Sequence, residues 1–313
     1  MAQNESHHPP RHGCRRWIVA GAAVLVLVSI LVLPAILMAG RVYPARAPID
    51  DSPAQLGLAW EDITFRSQDG IELRGWYLPS PSATDRGIVL AHGIDDNRLQ
   101  SGIALHLTTA LLDRGFSVLL FDLRASGISG SAPQTLGTHE RRDVLAAVAY
   151  IRSRGVRHVG VIGFSMGAVA SILAAAYDPA IEALVTDSAY ADLHVTLVAG
   201  MARGFYLPEP AAEIPLLWFR LLTGTDERSV RPVDVVGRIS PRPLLIIHGT
   251  DDDTVSPADS ALLLRAAGGT MAERWLVRGG GHTTSYRVEP AEYTRHIVTF
   301  FETSLGSPES ADA

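Results

Sequence analysis

The chain has 313 residues, of which 47% are hydrophobic and 19% are charged, with a formal charge of −6 and a single cysteine. This composition excludes disordered, collagen-like and disulfide-stapled chains, because it supplies enough apolar side chains for an ample core without cross-links. One cysteine can neither close an internal disulfide nor build a cysteine-rich zinc site. The mild excess of acidic side chains argues against nucleic acid as a partner.

The first distinctive feature along the chain is an uncharged run of 23 residues from Trp17 to Ala39. As a helix it would be about 34 Å long, enough to cross a bilayer core of about 30 Å. A cleaved signal peptide is the alternative, but its apolar region usually has about 7 to 15 residues, so an uncleaved anchor is favoured. Three arginines lie just before the run and two follow it, which predicts a single-pass protein with a cytoplasmic N-terminus and an extracytoplasmic remainder.

Beyond this run, prolines at 44, 48 and 53 mark an irregular linker, and strand-forming segments begin near Trp60. The predicted organisation is a cytoplasmic tail over residues 1–16, a transmembrane helix over 17–39, a linker over 40–59, a globular domain over 60–305 and a flexible tail over 306–313.

The globular domain opens with two strand-forming segments, 63–66 and 71–77, separated by Gln68-Asp69-Gly70, a pattern that predicts an antiparallel hairpin. Short apolar runs then alternate with helical patterns. The predicted strands are 87–91, 117–121, 158–162, 183–186, 244–248 and 273–277, and the predicted helices between and after them are 99–114, 140–154, 166–177, 258–267 and 290–304. This alternation predicts an α/β fold, with a mostly parallel central sheet, an antiparallel N-terminal hairpin and helices on both faces.

The alternation breaks over residues 189–239, where about 50 residues separate two core strands, far more than a usual connection. Amphipathic stretches at 193–205 and 214–222 predict a helical lid inserted at the carboxyl edge of the sheet. Its large apolar residues would either line an apolar substrate cleft or fasten the lid to the domain. They are Met201, Phe205, Tyr206, Leu207, Leu217, Trp218 and Phe219.

The strongest sign of chemistry is Gly163-Phe164-Ser165-Met166-Gly167, which lies between a predicted strand and a predicted helix. A serine on a tight strand-to-helix turn needs small neighbours, and the two glycines supply them. The helix N-terminus would offer positive partial charge to an oxyanion that forms beside Ser165. This context predicts a nucleophilic serine.

A serine hydroxyl needs a general base, and the base needs an acid to orient it. His282 follows three glycines in a loop after the last predicted strand, where its imidazole can reach Ser165. The acid is ambiguous from chemistry alone, because residues 251–253 are consecutive aspartates and Asp187 ends an earlier strand. A calcium or magnesium loop is the alternative for the triplet, which lacks the spaced ligands and terminal glutamate of a known calcium loop.

Several motifs in register over residues 60–305 resemble the α/β-hydrolase superfamily. They are the HGxxxNR turn at 92–98, the DxRxxGxS loop at 122–129, the serine turn at 163–167, the HGxxD segment at 248–252 and the GH pair at 281–282. The chain is similar to membrane-anchored and secreted serine hydrolases of the FrsA-like, dienelactone-hydrolase-like and serine-peptidase-like kinds.

The resemblance implies the α/β-hydrolase fold and an assignment of roles. The nucleophile would be Ser165, the base His282 and the acid Asp252, with the backbone N–H groups of Ile94 and Met166 as the oxyanion hole. Asp252 is implied because it is the fourth residue after His248, the position that the family uses. The resemblance implies neither a cofactor nor a metal.

This apparatus implies a serine hydrolase that cleaves carboxylic esters through an acyl-enzyme intermediate. Lipid or acyl esters are among the expected substrates, since the site would lie near a membrane under an apolar lid. Thioesterase, serine peptidase or acyltransferase activity on the same triad are alternatives, as is a non-catalytic membrane-anchored binding module. The expected partners are a small-molecule or lipid ester and the membrane.

Overall fold

The computed structural model describes residues 12–82, 84–205, 209–269 and 271–306. Its centre is a sheet of eight strands: β1 Glu61–Arg66, β2 Glu72–Leu78, β3 Arg86–Ala91, β4 Ser117–Phe121, β5 His158–Phe164, β6 Ile181–Asp187, β7 Leu244–Gly249 and β8 Ala272–Val277. Their spatial order is β1-β2-β4-β3-β5-β6-β7-β8. β2 pairs antiparallel with β1 and β4, and all other neighbours are parallel. The predicted fold class is therefore confirmed.

Helices cover both faces of this sheet, and one further helix at the N-terminus is mostly exposed. They are α1 His12–Val42, α2 Ile103–Leu112, α3 Glu140–Ser153, α4 Met166–Ala175, α5 Leu193–Phe205, α6 Glu209–Thr223, α7 Pro257–Ala267, α8 Ser285–Val288 and α9 Pro290–Ser304. On β3, Ile88 and Leu90 join the core formed with α2 and α9, whereas Val89 and Ala91 join the core formed with α3, α4 and α7. Successive strand side chains point to opposite faces, so the sheet separates two hydrophobic cores.

Several predicted boundaries differ from the structure by a few residues. The helix expected from residue 99 begins at Ile103, because Gln100, Ser101 and Gly102 have φ angles of 45°, 52° and 85°, outside the helical region. Conversely, α1 continues to Val42, three residues past the predicted transmembrane span. Most of the two predicted tails, at 1–11 and 307–313, lies outside the described residues, as do Tyr206 and Leu207.

The helices α5 and α6 form the insertion between β6 and β7, and they are called the cap below. Phe219 of α6 is 1% exposed and belongs to the same core as α3 and α4, and Met201 and Trp218 pack partly buried against that core. These side chains fasten the cap to the domain. Leu217 has the opposite environment, because it is 49% exposed.

Among the described residues, α1 alone is long and apolar enough to cross a membrane, with a mean hydropathy of 2.9 over its most apolar 18 residues. Only 6% of that window is buried in the rest of the chain. A signal sequence has the same properties, so the length and hydropathy of α1 are compatible with a membrane anchor and with a signal sequence. Its last turns pack against α6 of the cap.

Candidate active site

Ser165 lies on the sharp turn between β5 and α4, with φ 49° and ψ −114°. This conformation is strained for a residue with a side chain. The turn is so crowded that a Cβ at Gly163 would lie 2.5 Å from the Cα of Ala168, and one at Gly167 would lie 2.2 Å from the carbonyl oxygen of Ala91. Both glycines of the motif are thus required by the close approach of backbone, as the sequence predicted.

The structure brings Ser165, His282 and Asp252 together, although 117 residues separate the first two along the chain. His282 Nε2 lies 2.8 Å from Ser165 Oγ, and His282 Nδ1 lies 2.8 Å from Asp252 Oδ2. An ionised carboxylate only accepts hydrogen bonds, so Nδ1 carries the proton and Nε2 is free to accept the serine hydrogen. This chain of contacts has the geometry of a nucleophile, its base and an orienting acid.

Two loops at the carboxyl edge of the sheet hold the acid beside the histidine. The Asp251 N–H donates to Gly280 O at 2.8 Å and the Thr250 N–H donates to Val277 O at 2.9 Å. A Cβ at Gly249 would lie 2.1 Å from Gly280 O, so glycine is needed where these loops meet. The loop after β7 and the loop after β8 therefore form one unit.

Of the three consecutive aspartates, only Asp252 is turned inward, whereas Asp251 and Asp253 are exposed. Asp252 Oδ1 accepts hydrogen bonds from the N–H groups of Thr254 and Val255 at 2.9 and 2.8 Å. Its Oδ2 also lies 3.1 Å from Nε2 of His248. Burial opposes ionisation, but the hydrogen bonds from His248 and His282 outweigh it and hold the pKa of the Asp252 carboxyl well below its usual value.

Asp187, the other acid considered from sequence, has a different place. Its Oδ2 accepts a hydrogen bond from the Tyr293 hydroxyl at 2.8 Å, and its Oδ1 accepts one from the Ser188 hydroxyl at 2.9 Å. Burial raises the pKa of Asp187, although these two hydrogen bonds oppose the rise. Ser188 Oγ in turn accepts from the Thr283 N–H at 3.0 Å, next to His282. Asp187 thus helps to hold the loop that carries His282, through the hydrogen bonds of Ser188.

Ser188, Tyr293 and the contact of His248 with Asp252 were not found from the sequence. Tyr293 belongs to α9, 106 residues from its partner Asp187, and its spacing in that helix is that of an ordinary core residue. No local motif marks such a residue. Only the packing of α9 on the sheet reveals its role.

The two residues predicted to form the oxyanion hole both lie close to Ser165. Met166 is the first residue of α4, and the first N–H groups of a helix have no acceptor within it. Ile94 follows Gly93, where a Cβ would lie 3.5 Å from the Cβ of Ser165. Among the residues that the structure describes, the Ile94 N–H donates to no protein acceptor.

The loop that carries Ile94 is held by a buried ion pair. Asp122 Oδ2 lies 2.6 Å from Arg98 Nη2, and their side chains are 0% and 1% exposed. The Arg98 backbone N–H also donates to Asp122 Oδ1, and the Ile128 N–H donates to Oδ2, both at 2.9 Å. The turn at 92–98 and the loop at 122–129 are therefore joined through one carboxylate.

We expect Asp122→Asn to lower the free energy of unfolding by about 3 to 5 kcal/mol, because Arg98 would keep a buried charge without its counterion. Chemical denaturation of the full chain in detergent measures the change. The matched control is Glu302→Gln, which breaks the exposed pair of Arg114 and Glu302 and should cost less than about 1 kcal/mol. Equal losses in the two variants would contradict the structural role of Asp122.

Comparison with known proteins identifies the family. A family model described as the alpha/beta hydrolase family matches residues 88–295, more than half of the chain. The chain belongs to the alpha/beta hydrolase family. This hydrolase is 28% identical over 246 residues to YqkD of Bacillus subtilis, covering 77% of this chain and 78% of the relative. It is 24% identical over 263 residues to YfhR of Escherichia coli, covering 80% and 83%. Both relatives are described as uncharacterised.

Solved structures agree with this family. An esterase of Pyrococcus furiosus is 26% identical to the hydrolase, with a TM-score of 0.73 and coverage of 85% of this chain and 99% of the esterase. Est1E of Butyrivibrio proteoclasticus, solved with ferulic acid bound, is 19% identical with a TM-score of 0.63, covering 77% and 99%, and shows a shared fold. The family and its esterase neighbours support a hydrolase activity.

Proposed function

We propose that the protein is a serine hydrolase that cleaves carboxylic esters through an acyl-enzyme intermediate. The observation that carries the proposal is the chain of 2.8 Å contacts from Ser165 Oγ to His282 Nε2 and from His282 Nδ1 to Asp252 Oδ2. It stands at a strained strand-to-helix turn, where the hydroxyl is presented beside the N-terminus of α4.

In the first half of the reaction, Ser165 Oγ forms a bond to the ester carbonyl carbon while His282 Nε2 takes the hydroxyl proton. The C=O electron pair moves to oxygen, which the N–H groups of Ile94 and Met166 stabilise. The carbonyl then re-forms, the ester C–O bond breaks, and the alcohol leaves with the proton from His282. Asp252 holds the imidazole orientation and stabilises its cationic form throughout.

In the second half, water replaces the serine as nucleophile. His282 takes a proton from the water, the new hydroxyl attacks the acyl carbon, and Ser165 leaves as an alkoxide that regains the proton. The products are a carboxylic acid, an alcohol and the unchanged protein. These steps use only groups of this chain and water.

Oxygen esters are the favoured substrate class because the solved neighbours include an esterase of Pyrococcus furiosus. A panel of oxygen esters, thioesters and aminoacyl anilides with matched acyl groups tests the class. We expect kcat/KM to be highest for the oxygen esters. A higher value for the anilides would make the protein a peptidase, and a higher value for the thioesters would make it a thioesterase. A folded chain that turns over none of them would act as a binding module.

We also propose that α1 is an uncleaved anchor, with the N-terminus in the cytoplasm and the catalytic domain outside it. The burial of Met38 and Val42 supports this, since cleavage after these residues would remove them and expose part of the core. The Gln134 N–H also donates to Val42 O at 2.9 Å. Membrane-extracted protein should retain its N-terminus by intact mass, and external protease should digest the domain. A soluble chain that begins after Ala39 would contradict the anchor.

A further inference from the structure

Among the α1 side chains that the structure describes, those buried against the rest of the chain lie in the last turns of the helix. Met38 and Val42 are 8% and 1% exposed and share a core with Phe219 of α6, and the two helices pack against each other. From residue 16 to residue 33, every α1 side chain that the structure describes is exposed. This free part is about 27 Å long, close to the thickness of a bilayer core of about 30 Å.

Exposed aromatic residues mark the two ends of the helix. Trp17 is 80% exposed near the start, and Tyr43 is 50% exposed directly after the last helical residue. Along a helix they stand about 39 Å apart, close to the 40–45 Å of a bilayer with its headgroups. Tryptophan and tyrosine are enriched at such interfaces. The end of α1 that packs on α6 therefore belongs at one membrane surface.

The last turn of α1 and the segment that follows it are attached to loops beside Ser165. Arg41 Nη1 lies 2.8 Å from Asp95 Oδ2, one residue after Ile94. Arg46 Nη1 donates to Ser129 O at 2.6 Å, and Asn97 Nδ2 donates to Pro48 O at 2.8 Å. These contacts fix the anchor to the loops after β3 and β4, at the same edge of the sheet as the active site. The anchor thus orients this edge toward the bilayer.

The cap helix α6, which packs against α1, also has exposed apolar side chains. Leu217 and Leu221, one turn apart, are 49% and 64% exposed. The described charges nearby, on α6 and in the turn after it, are paired, with Arg220 Nη2 2.5 Å from Glu227 Oε1 and 3.3 Å from Glu213 Oε2. An exposed apolar face beside paired charges, on a helix that packs against α1, suits a lipid surface.

We propose that the substrate is an oxygen ester carried by a membrane lipid, and that α6 lies in the bilayer interface so that the ester reaches Ser165 directly from the leaflet. This inference rests on the proposed esterase function. The proposed substrate class is a lipid ester. The surface formed by Leu217 and Leu221 binds lipid and takes no part in the chemistry.

A placement experiment tests the surface independently of activity. The full chain carrying Cys14→Ser receives a single new cysteine, by Leu221→Cys or by Leu262→Cys as the control on α7, where Leu262 is 40% exposed. Each is labelled with an environment-sensitive fluorophore in phosphatidylcholine nanodiscs that contain a shallow spin-labelled lipid. We expect the fluorophore at position 221 to be quenched at least about twice as strongly as the one at position 262, because position 221 contacts lipid. Equal quenching at the two positions would overturn the proposal.

An activity experiment tests the substrate. We expect Leu217→Glu combined with Leu221→Glu to lower hydrolysis of a fluorogenic diacylglycerol ester in the nanodisc about tenfold or more, since charges on this face oppose its contact with lipid. Hydrolysis of a soluble acetyl ester should stay within about twofold, because the triad is untouched. Leu262→Glu is the matched control, and it should alter neither rate.

The outcomes separate this inference from the function on which it rests. Unchanged hydrolysis of the lipid ester in the double variant, with both esters turned over, would overturn the lipid-facing cap and leave the esterase in place. Wild-type protein that cleaves the soluble ester but not the lipid ester would overturn the substrate class alone. Failure of wild-type protein to cleave either ester would overturn both.

Discussion

Replacing Ser165 with alanine is expected to lower kcat/KM for an ester substrate by about 10⁴-fold or more. The variant loses the nucleophile, so only binding and oxyanion stabilisation remain to assist direct attack by water. The fold should be preserved, because the change removes one hydroxyl and leaves the crowded turn between Gly163 and Gly167 intact. Steady-state hydrolysis of a short soluble ester, with the unfolding midpoint measured beside it, checks both expectations.

The control for this variant is Ser171→Ala, six residues along the same helix. The Ser171 hydroxyl donates to Gly167 O at 2.6 Å within α4, so its loss should leave turnover nearly unchanged. A Ser165→Ala protein that keeps more than about a tenth of wild-type activity would contradict covalent catalysis at Ser165.

The second large effect is expected for Asp252→Asn, with a loss of about 10⁴-fold in kcat. An asparagine can still accept the N–H groups of Thr254 and Val255 through its oxygen. Its amide nitrogen would then face His282 Nδ1, which favours the tautomer with the proton on Nε2. That histidine cannot accept the proton of Ser165, so the base is lost while the loop geometry is kept.

Asp251→Asn and Asp253→Asn are the matched controls, since they make the same chemical change on either side of Asp252. Both side chains are exposed, so each variant should keep kcat within about twofold of wild type. A large loss in Asp251→Asn or Asp253→Asn, with Asp252→Asn unaffected, would show that another carboxylate orients the histidine.

The positions of Ser165 and His282, the proposed nucleophile and base, could be predicted because their constraints are local. The turn at Ser165 requires glycine at fixed neighbouring positions. The three glycines before His282 indicate a loop from which its imidazole can reach Ser165. The strands were predictable for a similar reason, since buried parallel strands such as β5 and β7 are short apolar runs. Local pattern therefore indicated most of the fold and the positions of Ser165 and His282.

It was harder to predict which aspartate contacts His282, because the answer depends on which side chain is buried. Three identical side chains stand in a row, and chemistry does not distinguish them. Alternation along the loop turns only Asp252 inward, where His248 and His282 both reach it. Resemblance to a family implied this choice from the sequence, and the structure supplies the physical reason.

Contacts between distant segments that carry no motif could not be predicted. The pairing of Arg41 with Asp95 joins residues 54 positions apart, and neither residue belongs to a periodic pattern that would link them. The hydrogen bond from Tyr293 to Asp187 is of the same kind. Such contacts follow from the tertiary fold, and they are the ones that attach the end of α1 and support the loop that carries His282.

The most direct test of the account is labelling of the purified full chain with a fluorophosphonate, which reacts only with an activated serine. The account predicts one adduct per chain, mapped to Ser165 by peptide mass, and labelling that disappears in Ser165→Ala and in His282→Ala. A folded wild-type protein that stays unlabelled, or an adduct on a serine other than Ser165, would contradict the assignment of Ser165 as a catalytic nucleophile.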